Sequence, residues 1–263
     1  MLEYYISQSI YYPDKERNKS WIIQQMSGSW MISAFDRIVI AVPDLSAAVA
    51  DYGVVLGGTF WPVPDDSGMR RAWLGLKNVV IELRELQVAQ SMIVGVVFID
   101  ESAAAEEREV SNTRLLSLQL CNGQRTESFR QAQPHSQNLD TGVDHLVLRT
   151  SDAQACIQLF AIGLGLRLAL DKSEPDWGGR MLFFRVGKLT LEVIESSDAE
   201  TGPDRFWGIA YRCSDLSATT ARLKAEGVAL SAVRHGRKPG TNVATLKSHA
   251  FELPTLLIGV KPT

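Results

Sequence analysis

A histidine interrupts an alternating apolar run in "GVDHLVLRT" (residues 142–150), and a glutamate does the same in "KLTLEVIES" (188–196). In that setting His145 is open to three readings: a metal ligand, a base, or a polar residue satisfied by a neighbour on a sheet face. Glu192 stands between Leu191 and Val193, so strand alternation aims it away from them, and away from Glu195. A buried carboxylate needs a partner or a ligand. The stretch "RHGRKPGTN", from Arg234, carries His235, Arg237 and Lys238 on a turn marked by Pro-Gly. Arg237 and Lys238 could clamp a carboxylate or phosphate, arginine being suited to two parallel N–H contacts, or could sit on a solvated hairpin. Trp177, Phe184 and Trp207, with Met181, Phe183 and Phe206, are candidates to line an apolar cavity or to fill the core.

The elements that must position these groups are repeated. "FDRIVIAVPDLSAAVADYGVVLGG", from Phe35, aligns without a gap on "VDHLVLRTSDAQACIQLFAIGLGL", from Val143. Asp36 falls on Asp144, Asp44 on Asp152, Tyr52 on Phe160 and Gly57 on Gly165. Further on, "NVVIELRE" lies over "KLTLEVIE" and puts Glu82 on Glu192. A third copy opens "WGIAYRCSDLSATTARLKAEGVAL" at Trp207, with Gly208 in the place of His145. Each copy begins with a half-buried alternating strand, then an Asp suited to accept from the free amides of a first helical turn. A dozen residues at helical spacing follow, a glycine ends them, and three more strand-like runs complete a β-α-β-β-β unit. A fourth, degenerate copy is expected between the first and third, with "MIVGVVFIDESAAAEE" as its strand and helix start.

Proline and small polar residues cluster in "QAQPHSQNLDTG", which marks the expected boundary between an N-terminal domain (34–138) and a C-terminal domain (139–263). Residues 1–33 match nothing later and read as an N-terminal extension, which does not have the pattern of a secretory signal. The chain has 263 residues, 45% of them hydrophobic and 22% charged, with a formal net charge of −3. That balance offers no basic face for nucleic acid, and no apolar run is long enough to cross a membrane. Cys121, Cys156 and Cys213 are far apart and odd in number, so a reducing cytoplasm is the expected compartment.

Paired modules opening "FDRIVIAVPDLSAAVADYGVVLGG" and "VDHLVLRTSDAQACIQLFAIGLGL" resemble the vicinal oxygen chelate superfamily. Glyoxalase I, bleomycin-resistance proteins, methylmalonyl-CoA epimerase and extradiol dioxygenases belong to it. The resemblance runs from Phe35 to Thr263, strongest from Gly142 onward and weakest from about 103 to 138. It implies an α+β fold of tandem βαβββ modules forming two half-open mixed-sheet barrels around a small-molecule cavity. In that superfamily, metal ligands come from the opening strand and the last strand of facing modules. Carried over, His145 and Glu192 match such positions, Glu192 is the candidate catalytic group, and His249 is a candidate third ligand.

A divalent ion (Zn, Mn, Ni, Co or Fe) held there would polarise adjacent oxygens of a substrate. In the last module the matching positions are Gly208 and Ile258, which cannot coordinate. In the first module they are Arg37 and Glu82, and an internal Arg–Glu ion pair is expected in place of a metal site. The leading expectation is therefore a glyoxalase-like small-molecule-binding protein, with its ligand site in the C-terminal half and catalysis left open. The alternative is a metal-dependent lyase, isomerase or epimerase acting on vicinal oxygens. An extradiol dioxygenase ranks behind both, because Gly208 stands where a second histidine is needed. A homodimer is compatible with the fold.

Overall fold

The computed structural model describes residues 30–64, 68–104, 107–133, 141–174, 179–195 and 202–260. The N-terminal half runs β1 (Ile32–Val42), α1 (Leu45–Leu56), β2 (Trp61–Pro62), β3 (Arg71–Gly75) and β4 (Val80–Glu85), then β5 (Met92–Asp100), β6 (Arg108–Glu109), β7 (Ser117–Cys121) and α2 (Gln124–Ala132). The C-terminal half runs β8 (Gly142–Thr150), α3 (Ala153–Cys156, continuing as a π-helix over Ile157–Gly163), β9 (Arg167–Glu174), β10 (Gly179–Val186) and β11 (Leu189–Glu195). It closes with β12 (Arg205–Cys213), α4 (Leu216–Ala225), β13 (Arg234–His235), β14 (Thr241–Thr245), a 3-10 turn (Ala250–Glu252) and β15 (Thr255–Val260).

Two open mixed sheets result, ordered β2-β3-β4-β1-β5-β7-β6 and β13-β14-β15-β12-β8-β11-β10-β9. Within each module the opening strand lies parallel to the last one, as β1 with β4 and β8 with β11. Two modules join where their opening strands pair antiparallel, β1 with β5 and β8 with β12. That arrangement brings the middle of each opening strand beside the last strand of its own module and the opening strand of the next.

The expected helix caps are present. Asp44, Asp152 and Asp215 each accept from the backbone amide three residues on, at 3.0, 2.8 and 2.9 Å. Each such cap is worth about 1 kcal/mol to its helix. Gly57 ends α1 in the left-handed region at φ 72°, where a side chain would be strained.

The second module departs from the repeat. After β5 the chain makes a turn at 101–102, and the helix expected there is replaced by α2, which follows the last strand. Helix α2 is polar and buries only Thr126, so it lacks the apolar stripe that would seat it behind the sheet.

One apolar core runs through both halves, from Ile38, Ile40 and Leu74 to Leu146, Leu148, Phe160 and Phe184. Its seam is also bonded. The Asn78 side chain donates to the Val143 carbonyl at 2.7 Å and accepts from the Val143 amide at 2.9 Å. Tyr52 on α1 donates to the Ala250 carbonyl at 3.0 Å, and Arg222 on α4 donates to the Val54 carbonyl at 2.7 Å. No helix among the described residues is long and apolar enough to cross a membrane.

Candidate functional site

His145 sits in the middle of β8, beside Thr190 of β11 and Ala210 of β12. Leu146 and Leu148 face the core, so His145, Val147 and Arg149 share the other, concave face. His145 Nε2 points at Glu192, 3.5 Å from Oε2. His145 Nδ1 lies 3.1 Å from Asp144 Oδ2, and Asp144 also accepts from Arg212 Nε at 3.0 Å. Adjacent residues of a strand normally point to opposite faces. Here a register shift between Ala210 and Tyr211, opposite residues 143–145, lets the Asp144 carboxylate reach its neighbour's ring.

The two carboxyl groups are tuned in opposite directions. The hydrogen bond with His145 and then Arg212 hold Asp144 well below the usual carboxylate range. Burial pushes the Glu192 carboxyl up, with His145 and then Arg237 pulling it back in part. Glu192 is only 14% exposed and His145 18%, so the pair is shielded but still reached from the concave side.

Among the proposed binding residues, Arg237 is brought into this environment: it projects from the β13–β14 hairpin within electrostatic range of Glu192. Lys238 beside it is exposed and holds the turn through its carbonyl, which accepts from Thr241. Trp207 is 39% exposed and carries the Arg149 guanidinium 4.7 Å above its ring.

Two expectations are corrected. Phe184 is fully buried and packs 5.5 Å from Phe160 in the core, so it lines no cavity. Its neighbour Phe183 stands directly opposite Glu192 and on the same face. The two-residue turn at Gly187–Lys188 pairs Val186 with Leu189, and counting back from that turn puts residue 183 against 192. His249 is not on a strand, because β14 ends at Thr245. It lies in the following turn with Nδ1 2.9 Å from Ser248 Oγ and Nε2 3.7 Å from Asp51 on α1, among the packed helices. It cannot serve as a third ligand beside His145 and Glu192. Trp177 lies outside the described residues.

A resident metal is a poor fit to the groups present. The Asp144–His145 contact does leave Nε2 directed at a carboxylate, as in many metal-binding histidines. Yet the neighbouring strands supply Ala210 and Ile258, packed with Val243 and Leu256 as an apolar wall. At Gly208 an added Cβ would stand 2.8 Å from the Pro254 carbonyl oxygen, so close backbone approach requires glycine there. No group of three or more His, Cys, Asp or Glu suited to a metal occurs among the described residues. Two donors are fewer than the three that catalytic centres ordinarily use.

The matching place in the N-terminal half is filled. Arg37 Nε lies 3.1 Å from Glu82 Oε2, the ion pair anticipated from the repeat, and both side chains are essentially without exposure. Arg37 also pairs with Asp36 at 2.7 Å and Glu107 at 2.6 Å. Trp73 donates to Glu82 at 3.0 Å, and Arg84 pairs with it at 2.6 Å. Phe129 of α2 packs edge-on against Trp73, with ring centroids 5.4 Å apart. A cleft of about 680 Å³ does open nearby, between the start of β1 and α2. Of its four charged groups, Asp36 is committed to Arg37, Arg130 to the Leu76 carbonyl and Glu127 to Gln131, and Lys77 is the fourth.

Comparison with known proteins agrees with this architecture. Residues 144–245 match the Glyoxalase/Bleomycin resistance protein/Dioxygenase superfamily. A mutant 4-hydroxymandelate synthase from Streptomyces coelicolor superposes with a TM-score of 0.64 at 12% identity, covering 88% of this chain and 94% of its own. The 2,3-dioxygenase LapB from Pseudomonas sp. KL28 gives 0.58 at 11% identity, covering 89% and 93%. The Mn(II)-bound glyoxalase from Novosphingobium aromaticivorans gives 0.57 at 14% identity, covering 88% and 83%. No curated protein matches the chain in sequence. Residues 144–245 are thus similar to that superfamily, and the chain as a whole shares the fold of these three structures.

Proposed function

We propose that the concave face of the C-terminal sheet binds a small organic molecule, with His145 and Glu192 as its polar anchor and without a resident metal. The observation that carries this reading is the His145 Nε2–Glu192 Oε2 approach of 3.5 Å on a face that remains partly open. Glu192, disfavoured as an anion by burial, gains from a ligand hydroxyl or N–H that donates to it. Phe183 opposite it, with Ala210, Val243 and Ile258, gives the ligand's apolar body a surface, and Arg237 supplies positive charge at the rim. A few convergent polar groups in an apolar concavity are what small-molecule sites ordinarily consist of.

A second reading, a metal-dependent lyase, isomerase or epimerase acting on vicinal oxygens, is favoured by one observation. Asp144 orients His145 as a metal ligand's second partner would. One experiment separates the two. Protein purified without chelators or an affinity metal is analysed by native mass spectrometry and elemental analysis, beside His145→Ala and Glu192→Ala. The binding reading expects no stoichiometric metal, and adducts or thermal shifts from a small-molecule panel that both substitutions weaken. Near-stoichiometric metal, lost in both variants, would overturn it in favour of the second.

A further inference from the structure

The concave face carries a second polar feature, at the far end of β8 from His145. Arg149 lies directly opposite Arg205 across the antiparallel β8–β12 pair, so the two side chains share a face. Like charges placed directly opposite on neighbouring strands are unfavourable, and neither arginine has an ion-pair partner among the described residues. The nearest carboxylate on β11, Glu195, is turned to the other side, where it accepts from the Ala153 amide at 2.8 Å. Arg149 is half-buried, its Nε is shielded from solvent without an acceptor, and its guanidinium lies on the Trp207 ring. The register shift between Phe206 and Gly208 turns Trp207 out to that position.

Arg37, Arg70, Arg84, Arg108, Arg114 and Arg180 each meet a carboxylate, while Arg71 and Arg130 donate to backbone carbonyls and Arg185 to the Thr190 hydroxyl. Among the described residues, a shielded arginine donor without an acceptor faces a second arginine on the face that also carries His145 and Glu192, and the two guanidinium groups offer a place for an anion.

We infer that Arg149 and Arg205, with Trp207 beneath, form an oxyanion subsite that holds a carboxylate or phosphate group of the ligand. It rests on reading the concave face as the ligand site, and it adds the ligand's charge and reach. At about 3.3 Å per residue, His145 and Arg149 are separated by about 13 Å along β8. The ligand is therefore an elongated anion, with its oxyanion at Arg149 and Arg205 and its hydrogen-bonding end at His145 and Glu192. A guanidinium resting on an indole keeps its edge free to donate two parallel N–H bonds to such a group.

The test is a titration of the full-length protein with inorganic pyrophosphate and, separately, with phthalate, read by tryptophan fluorescence and by thermal shift. Saturable binding of at least one probe is expected, weakened about tenfold by Arg149→Gln and by Arg205→Gln, and removed as a fluorescence signal by Trp207→Phe. Response to pyrophosphate alone assigns a phosphoryl group, and response to phthalate alone a carboxylate. Arg70→Gln, in the N-terminal half and paired with Glu85, should leave the midpoint unchanged, and the His145–Glu192 reading is tested separately by the small-molecule panel described above. No saturable response in the wild type, or an unchanged midpoint in Arg149→Gln, overturns the subsite. So does loss of binding in His145→Ala with retention in Arg149→Gln, which would place the anion near Arg237 instead.

Discussion

The same structural position is used in two opposite ways in the two halves of this chain. On β1 and β4 it holds Arg37 and Glu82, fully enclosed and tied to Asp36, Glu107, Arg84 and Trp73. On β8 and β11 it holds His145 and Glu192, 3.5 Å apart, partly exposed and short of partners. Every strong acceptor in the first group is answered from within the protein, and helix α2 packs over it through Phe129. In the second group Glu192 is answered only in part, which leaves chemistry for a ligand to complete. A repeated fold thus encloses one copy of its central position and leaves the other partly exposed.

Breaking the closed position should cost most. Arg37→Ala leaves Glu82, Asp36 and Glu107 without their shared cation, and the expected loss is about 3–5 kcal/mol in urea denaturation. Arg37→Met together with Glu82→Met should recover part of that loss, because it removes one of the three stranded carboxylates. An Arg37→Ala variant as stable as the wild type would show that the network is not holding the N-terminal half together.

The two phenylalanines sharpen the same contrast within the C-terminal half. Phe184→Ala empties a fully buried position and should cost about 3–5 kcal/mol. Phe183→Ala, on the concave face, should cost roughly 1 kcal/mol and chiefly weaken ligand binding. Equal losses in the two variants would mean the concave face is packed as core.

The smallest effect should have the opposite sign. Burial raises the Glu192 carboxyl, so the folded chain binds more protons than the unfolded chain between the usual carboxylate range and the raised value. Stability contributed by this group is present at low pH and falls as pH rises through that interval. Glu192→Gln should therefore melt higher than the wild type at neutral pH, with the gain vanishing once pH drops below the usual carboxylate range. A lower melting point at neutral pH would mean the pair stabilises the fold and is not held in readiness for a ligand.

Much of this architecture is legible in the amino-acid order, because it is written as a repeat. Alternation marked the opening strands, and aspartates at matching offsets marked three helix starts, each seen as an N-cap. The pairing of Glu192 with His145 and of Glu82 with Arg37 followed from equivalent positions. What the order could not convey lies where the repeat is broken or where geometry turns on one residue. The polar α2 carries no apolar stripe, so nothing in its composition says that it packs over the closed position. His249 falls in a turn at φ 66°, a backbone region that strand alternation does not foresee. Phe184 differs from Phe183 by one step, and one step reverses the face. The Gly187–Lys188 turn held that information, in the length of the hairpin loop. Arg149 and Arg205 are far apart in sequence and meet only through the antiparallel register of β8 and β12.

The most direct test of the contrast between the closed and open positions is amide chemical-shift mapping of the full-length protein during titration with a library of small organic acids. The account predicts saturable shifts on β8, β11 and β12, at residues flanking His145, Arg149, Glu192 and Trp207, with β1 and β4 around Arg37 and Glu82 unmoved. Saturable shifts centred on Arg37 and Glu82, with His145 and Glu192 silent, would contradict it and move the ligand site to the N-terminal half.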